Sequence, residues 1–407
     1  MPEPAPAPAP APDVVPPGGT LGVLGGGQLG RMFVHAAQRH GYRVRCWDQS
    51  PDAPAVRAAD EATVAPFADD AALAEFAAAV DAVTVEFENV PAATLAGLAE
   101  HVPVRPGPHV LAVAQDRRLE KAAAAEAGFG TAPWVEVADD EQAAAAESFA
   151  RPAILKTARD GYDGKGQIRL GEGESVAAAW AELGRVPCVL EGRVEFAAEL
   201  SAVAARWPDG AVRVHGPFLN DHAAGVLDLT RLPAPTDPVV TAAAVDLAAG
   251  MAAHLDVVGL LTTEMFLTPG GELLVNEVAP RPHNSGHGTI ECCRVSQFDQ
   301  QVRTTANLPP GDPAPHTPGA MANLLGDLWF DDSTPRVPDW PGLLHAFPDV
   351  ALHLYGKGEP RPGRKMGHLT ATARDAETAA RRVLAARTGL RGGDGTSPRA
   401  RSAGGGV

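Results

Sequence analysis

The sequence predicts an α/β protein in three parts: an N-terminal parallel βαβ domain of Rossmann-like type, a larger central body, and a small β-rich C-terminal domain. Three observations carry this reading. Short apolar runs alternate with alanine-rich helical stretches between Thr20 and Val113, a glycine-interrupted lysine loop spans Lys156 to Gln167, and two β-prone runs flank Gly270-Gly271. At 407 residues and 45% hydrophobic content the chain exceeds what one compact core organises, so several domains are expected.

The opening tract from Pro2 to Pro12, in which proline alternates mostly with alanine, lacks the apolar segment of an export signal, so residues 1–19 read as an extended, disordered arm. From 20 to 113 the order is strand (Leu21 to Leu24), helix (Gln28 to His40), strand (Arg43 to Trp47), helix (Ala71 to Ala79) and strand (Ala82 to Glu86), a parallel βαβ layout. Gly25-Gly-Gly-Gln-Leu-Gly30 follows the first strand and opens the first helix, with Asp48 closing the second strand. This is the context of a dinucleotide fingerprint and makes an NAD-dependent oxidoreductase the rival reading. Residues 20–113 are too few for two mononucleotide halves, and hydride transfer leaves the lysine loop and the hairpin without a task. The same geometry lets the helix N-terminus near Gln28 receive an anion, so the glycine loop is expected to touch a substrate phosphate or to make a tight turn.

The central body, 114–310, opens with a helix from Arg117 to Ala127. In its loop, Gly161, Gly164 and Gly166 let the backbone approach an anion closely, while Lys156 and Lys165 supply the charge that triphosphate oxygens need. The two runs around Gly270-Gly271 have the signature of a two-residue hairpin. If Pro269 faces Glu272 across the turn, the register counts back to Glu264 opposite Glu277. Like charges facing each other at roughly 5 Å repel, so the pair makes sense when a cation bridges them. Magnesium is the natural candidate, with Asn276 or water completing its shell.

The segment 311–389 is β-prone with a closing helix, too small to stand alone and expected to pack back on the body. Residues 390–407, rich in Gly, Ser and Arg, read as a disordered tail. The net charge of −16 excludes a general nucleic-acid or anionic-membrane surface and confines any phosphate site to a local basic pocket. The absence of a bilayer-length apolar run, and four cysteines without a CxxC motif, point to a reducing cytoplasmic setting. His283, His287, Glu291, Cys292 and Cys293 have ligand-like spacing for zinc, but adjacent cysteines rarely share one tetrahedral ion, and Pro282, Gly286 and Gly288 break the helix that would align the histidines. Ser285 has no GxSxG frame.

Gly25-Gly-Gly-Gln-Leu-Gly-Arg-Met32, Glu86-Phe-Glu-Asn-Val90, Gln115-Asp-Arg117, Gly161-Tyr-Asp-Gly-Lys-Gly-Gln167, Asn276-Glu-Val-Ala-Pro-Arg-Pro-His-Asn-Ser-Gly-His287 and Arg361-Pro-Gly-Arg-Lys-Met-Gly-His368 occur in that order. Together they resemble the 5-(carboxyamino)imidazole ribonucleotide synthases of the ATP-grasp superfamily, over roughly Thr20 to Leu369. The resemblance implies an ATP-grasp fold behind a pre-ATP-grasp domain, with its lid subdomain inside the central body. It implies the reaction of ATP, bicarbonate and 5-aminoimidazole ribonucleotide to the N-carboxylated ribonucleotide, ADP and phosphate through carboxyphosphate. It further implies a soluble homodimer of purine biosynthesis that acts on small molecules rather than on nucleic acid or membrane.

By the same resemblance Glu264 and Glu277 hold one or two Mg²⁺ ions, with Mn²⁺ as a substitute, and Arg117 and Lys156 contact the phosphates. Gly161, Gly164, Gly166 and Gln167 close over ATP, Glu191 marks the linker between lobes, Glu199 holds the ribose, and Asn276 joins Glu277 at the nucleotide. Tyr162, Asp163 and Lys165 of the loop and Lys365 of the last domain are assigned to the reaction, Lys365 beside the reacting amine. Gln28, Glu86, His222, Arg281, His283 and Arg364 are assigned to the ribonucleotide. The stretch Asp228 to Pro233, after an Asn220-x-His222 element, is looser than the family pattern. Formate-dependent glycinamide ribonucleotide transformylase is the alternative within the superfamily and is not expected to carry the Arg361 to His368 pattern.

Overall fold

The structure is a computed structural model, and it describes residues 13–159, 161, 166–332 and 334–390. The N-terminal sheet is parallel, with Thr20–Leu24 central between Arg43–Asp48 and Ala82–Val85 and with Glu61–Val64 on the outer edge. Thr20–Leu24 and Ala82–Val85 are buried along almost their whole length because both faces are covered. Helix Gln28–Arg39 covers one face through Leu29, Met32, Phe33, Ala36 and Ala37, the three-and-four spacing of a buried stripe. Phe298 and Val302 of helix Gln297–Thr305, from the central body, join the same core.

The expected disordered arm ends before Thr20. Val15 is buried in this core, its N–H donates to the Ala306 carbonyl at 2.9 Å, and its carbonyl accepts the Tyr42 hydroxyl at 2.7 Å. An apolar pair, Val14-Val15, behind the proline–alanine tract supplies the anchor.

A nine-stranded sheet forms the body. Its strands run in the spatial order Ala351–Leu354, Lys365–Thr372, Gly319–Leu325, Val226–Leu232, Val212–Ala223, Ala198–Arg206, Gly259–Leu267, Leu273–Ala279 and Gly130–Thr131. The C-terminal segment packs on the body by joining its sheet. It extends the body's own sheet through Gly319–Leu325 against Val226–Leu232. Helix Ala376–Gly389 covers these added strands, with Ala379, Val383 and Ala386 meeting Leu324 and Leu369 in one core. A smaller antiparallel lobe of Trp134–Val137, Cys188–Gly192, Ala153–Thr157 and Gln167–Leu170 is backed by helices Asp140–Ala146 and Val176–Glu182.

The hairpin differs from expectation at its turn. Thr268 N–H donates to the Glu272 carbonyl at 2.9 Å and Gly271 N–H to the Thr268 carbonyl at 3.0 Å, with Gly271 at φ +85°. The loop is thus three residues closed by a left-handed glycine rather than two. Leu267 then faces Leu273, one step off the expected register. A bulge between Glu264 and Met265 on one side, with Asn276 as the extra residue on the other, restores it, and Glu264 faces Glu277. No helix among the described residues is long and apolar enough to cross a membrane.

One carboxylate joins the N-terminal domain to the body. Asp299 caps helix Gln297–Thr305 through the Ser296 N–H at 2.9 Å and accepts the Ser296 hydroxyl at 2.8 Å. It also binds Arg39, and His40 Nε2 at 2.9 Å, at the end of helix Gln28–Arg39. Burial opposes its ionisation, but His40, Ser296 and Arg39 together hold its pKa below the ordinary 3.8. Its folded pKa being depressed, the contribution is present above that value and is lost as pH falls below it. Asp299→Ala should cost about 1–2 kcal/mol near neutrality. In thermal melts the gap from the native chain should narrow below pH 3.8, and a gap independent of pH would contradict this role.

Candidate functional site

A cleft of about 1140 Å³ opens between the small lobe, the face of the nine-stranded sheet and the N-terminal domain. Its floor is the hairpin. Because the bulge turns both Asn276 and Glu277 toward one side, these two and Glu264 all line the cleft. Glu264 Oε1 lies 2.8 Å from His283 Nε2, and Glu277 Oε2 lies 3.4 Å from an Arg117 guanidinium nitrogen. Burial raises the Glu264 pKa, but His283, with His222 and Lys365 further out, reverses this and holds it at about 2. Arg117 also reaches the Gly161 carbonyl at 3.4 Å, so one guanidinium spans from the hairpin to the glycine loop.

On the small lobe, Lys156 lines the cleft and its ammonium sits 2.6 Å from Glu191 Oε2, while Lys121 takes the other oxygen at 2.7 Å. Glu191 is buried behind the cleft wall. Burial raises its pKa and the two lysines more than offset that, so its carboxylate orients Lys156 from behind. Gln167 pairs with Lys156 in register and lines the cleft. Gly166 does not; its carbonyl accepts the Thr157 N–H at 2.8 Å, at φ +68°, and a Cβ there would meet Thr157 Oγ1 at 2.7 Å. Tyr162, Asp163, Gly164 and Lys165 lie outside the described residues.

Glu199 and His222, on neighbouring strands, form an ion pair at the cleft wall. Burial lowers the His222 pKa and Glu199 raises it by more. Arg281 is held in a fork by Glu88, with the second contact at 3.0 Å. Burial raises the Glu88 pKa, yet Arg281 brings it to about 2. Arg364 donates to the Glu359 carbonyl at 2.8 Å, and Lys365 follows as the first residue of its strand, both at the cleft mouth. The extended sheet is what carries Lys365 to the hairpin's side.

The glycine loop behaves differently from the expectation of a substrate anion at the helix N-terminus. Gly27 and Gly30 N–H groups donate to the two oxygens of Glu86 at 2.8 and 3.0 Å, and Gly26 N–H donates to Asp48 at 2.7 Å. The protein's own carboxylates fill the place of a pyrophosphate. A Cβ on Gly27 would stand 2.5 Å from Glu86 Oε1, which is why glycine is needed. Burial raises the Glu86 pKa and the Gly30 and Gly27 amides only partly offset it. Glu86 and Gln28 still line one edge of the cleft. With those amides taken, the dinucleotide reading loses its site.

Among the described residues one trio, Glu291, His353 and His368, places three ligand-type atoms within 4.8 Å of one another. The two imidazoles are stacked at 4.4 Å and 12°, so their in-plane lone pairs run side by side instead of converging on one ion. Cys292 and Cys293 are buried thiols packed in an apolar cluster. Sequence reasoning missed Glu88, Glu120 and Lys121. The last two follow Arg117 by three and four residues on its helix, hence on the same face, which was a readable signal.

Residues 19–115 match the family described as ribonucleotide synthetase preATP-grasp domain, 122–298 the ATP-grasp domain, and 319–382 the phosphoribosylaminoimidazole carboxylase C-terminal domain. The chain is 44% identical over 358 residues to N5-carboxyaminoimidazole ribonucleotide synthase of Brucella melitensis, covering 87% of this chain and 96% of that one. The structure of the Thermus thermophilus N5-carboxyaminoimidazole ribonucleotide synthetase aligns with a TM-score of 0.83 at 37% identity, over 93% of this chain and 99% of that one. The Aspergillus clavatus synthase in complex with ADP and 5-aminoimidazole ribonucleotide aligns at 0.81 and 27% identity, over 92% and 99%. The chain belongs to the N5-carboxyaminoimidazole ribonucleotide synthase family.

Proposed function

We infer that this chain is an ATP-dependent carbon–nitrogen ligase of purine biosynthesis. It carboxylates 5-aminoimidazole ribonucleotide with bicarbonate and releases ADP and phosphate. The observation that carries the reading is a single cleft in which two carboxylates opposed on one hairpin meet Arg117, Lys156, Arg364 and Lys365 in an acidic protein. Such a balance suits a nucleotide triphosphate together with a phosphate monoester. The Aspergillus relative with ADP and the ribonucleotide bound supports the same pair of ligands.

Bicarbonate is a poor electrophile, so ATP converts one of its oxygens into a phosphate leaving group, and the protein's task is to position and neutralise crowded anions. Arg117 and Lys156 approach the nucleotide phosphates from the body and the small lobe. Glu88 aims Arg281 and Arg364 stands at the cleft mouth, where each meets the ribonucleotide. Lys365 lies beside the amine and the activated carboxylate. The hairpin fits a magnesium ion, because Glu264 and Glu277 offer hard oxygen donors on facing positions with Asn276 between them and the turn. Glu264 and Glu277 would hold the ion there, and it would supply charge neutralisation to the phosphates.

Glu120 is buried under this hairpin and accepts the Val278 N–H. Burial, then the charge of Glu277, raises its pKa to about 8, so near neutrality it is a neutral acid that limits the anionic charge under the site. A reducing cytoplasmic location and a homodimer complete the proposal; all four cysteines are free thiols.

The reaction is tested by ADP release with Mg-ATP and bicarbonate in the presence and absence of 5-aminoimidazole ribonucleotide, with formate plus glycinamide ribonucleotide as control. Turnover that requires the aminoimidazole is expected; turnover that follows formate and glycinamide ribonucleotide would overturn the assignment. Lys365→Ala should lower kcat by roughly 10²–10³ with the KM for ATP little changed, and a loss confined to nucleotide binding would contradict its place at the amine. Glu120→Gln should gain stability over the native chain as pH rises from 4.5 to about 8. The expected gain is roughly 1.4 kcal/mol per pH unit at most, since only the native chain must keep a proton on that side chain to stay folded. Melting curves that stay parallel across this range would contradict it.

A further inference from the structure

His283 faces Glu264 with one ring nitrogen, and the other ring nitrogen begins a chain of hydrogen bonds that runs away from the cleft into the sheet. His283 Nδ1 lies 2.8 Å from Ser285 Oγ and 3.4 Å from the Ser285 backbone nitrogen, whose N–H it accepts. Ser201 donates its hydroxyl to Ser285 Oγ at 2.7 Å. Asn220 Nδ2 donates to Ser201 Oγ at 2.8 Å, and Thr230 donates its hydroxyl to Asn220 Oδ1 at 3.0 Å. Ser285, Ser201, Asn220 and Thr230 are each at most 5% exposed.

Strand register holds the members in place. Ser201 stands directly opposite Glu264, and Asn220 directly opposite Thr230. Ser285 lies in the one-turn helix Asn284–Gly286, capped by the His283 ring, which accepts the Ser285 N–H. Every link in the path is a direct hydrogen bond.

The donors all point one way. With Thr230 at the closed end and Glu264 at the open end, each member gives its hydrogen toward the cleft. The opposite polarity would set an Nδ1–H against the Ser285 N–H, donor against donor, and turn the Nε2 lone pair toward a carboxylate. We propose that Ser285, Ser201, Asn220 and Thr230 are positioning residues that fix His283 as its Nε2–H tautomer, so that it donates to Glu264 and aims that carboxylate into the cleft.

A ring whose second nitrogen is fixed in this way presents a defined donor, the arrangement by which outer partners orient groups that bind metal or substrate. The catalytic consequence rests on the function proposed above. The tautomer itself does not.

The test uses the full-length, nucleotide-free protein labelled with ¹⁵N-histidine, with His283→Gln to identify the resonance. Long-range ¹H–¹⁵N spectra should show a protonated Nε2 and a bare, accepting Nδ1 for His283. Ser285→Ala and Ser201→Ala should shift that pattern and lower kcat by roughly 10–100-fold, with the KM for ATP within about twofold of the native value. Ser285→Thr, which keeps the hydroxyl, should restore both. An Nδ1–H tautomer in the native protein, or an unchanged spectrum in Ser285→Ala, would overturn the proposal. Should Ser285→Ala fail to fold, the native and Ser285→Thr spectra decide it. The native tautomer seen in a protein that ignores 5-aminoimidazole ribonucleotide would uphold the chain and overturn the function instead.

Discussion

The structure depends on placing two carboxylates, Glu264 and Glu277, face to face at the end of one hairpin. Like charges on facing strand positions, whose Cβ atoms stand about 5 Å apart, repel, less strongly here because the Glu277 side chain is 42% exposed. The fold answers with cations drawn from every part of the chain. Arg117 comes from the first helix of the body and Lys365 from the C-terminal strand, while His283, from the turn after the hairpin, adds a ring-nitrogen contact to Glu264. Each bears on one carboxylate, and what remains is a patch of hard oxygens able to hold a divalent cation against phosphate. The acidic charge of the whole protein is thereby reversed locally, where the substrates are anions.

This requirement explains the architecture around it. The C-terminal strands are added to the body's sheet rather than folded as a separate unit, and that continuity fixes Lys365 and Arg364 relative to the hairpin. The N-terminal domain is tied down by helix Gln297–Thr305 of the body, whose Phe298 and Val302 enter the N-terminal core, and by Asp299 at the junction of two helix ends. Its glycine loop is neutralised from within by Asp48 and Glu86. The domain therefore contributes a wall and Gln28 to the cleft, and its helix N-terminus is closed to a second nucleotide.

Much of this was legible in the sequence because it depends on local pattern. The βαβ order follows from period and turn residues, and the pattern of glycines beside lysines picks out Lys156, Gly161 and Gln167, which line the cleft. The opposition of Glu264 and Glu277 was read correctly from a turn that was read wrongly. The loop is one residue longer than Gly270-Gly271 suggests, and the extra residue Asn276 shifts the register back by the same amount. A bulge has no residue signature of its own here, so the compensation appears only once the strands are paired. The glycine loop was less legible. Its motif speaks of an anion at the helix N-terminus, but that the anion is Glu86, brought by the third strand of the same sheet, is a tertiary fact. The pairings of Glu191 and Arg281 are tertiary as well: Glu191 of the small lobe meets Lys121 on the helix of Arg117, and Arg281 meets Glu88 of the N-terminal domain.

The central claim is that the hairpin carboxylates hold a metal ion beneath the nucleotide phosphates. It is tested most directly by electron paramagnetic resonance of Mn²⁺ added with ADP to the native protein and to Glu264→Gln and Glu277→Gln. A protein-bound manganese spectrum that needs both carboxylates and weakens by an order of magnitude or more in affinity when either is lost is the expected result. Manganese bound equally well by all three proteins would place the metal elsewhere and remove the hairpin from the centre of the site.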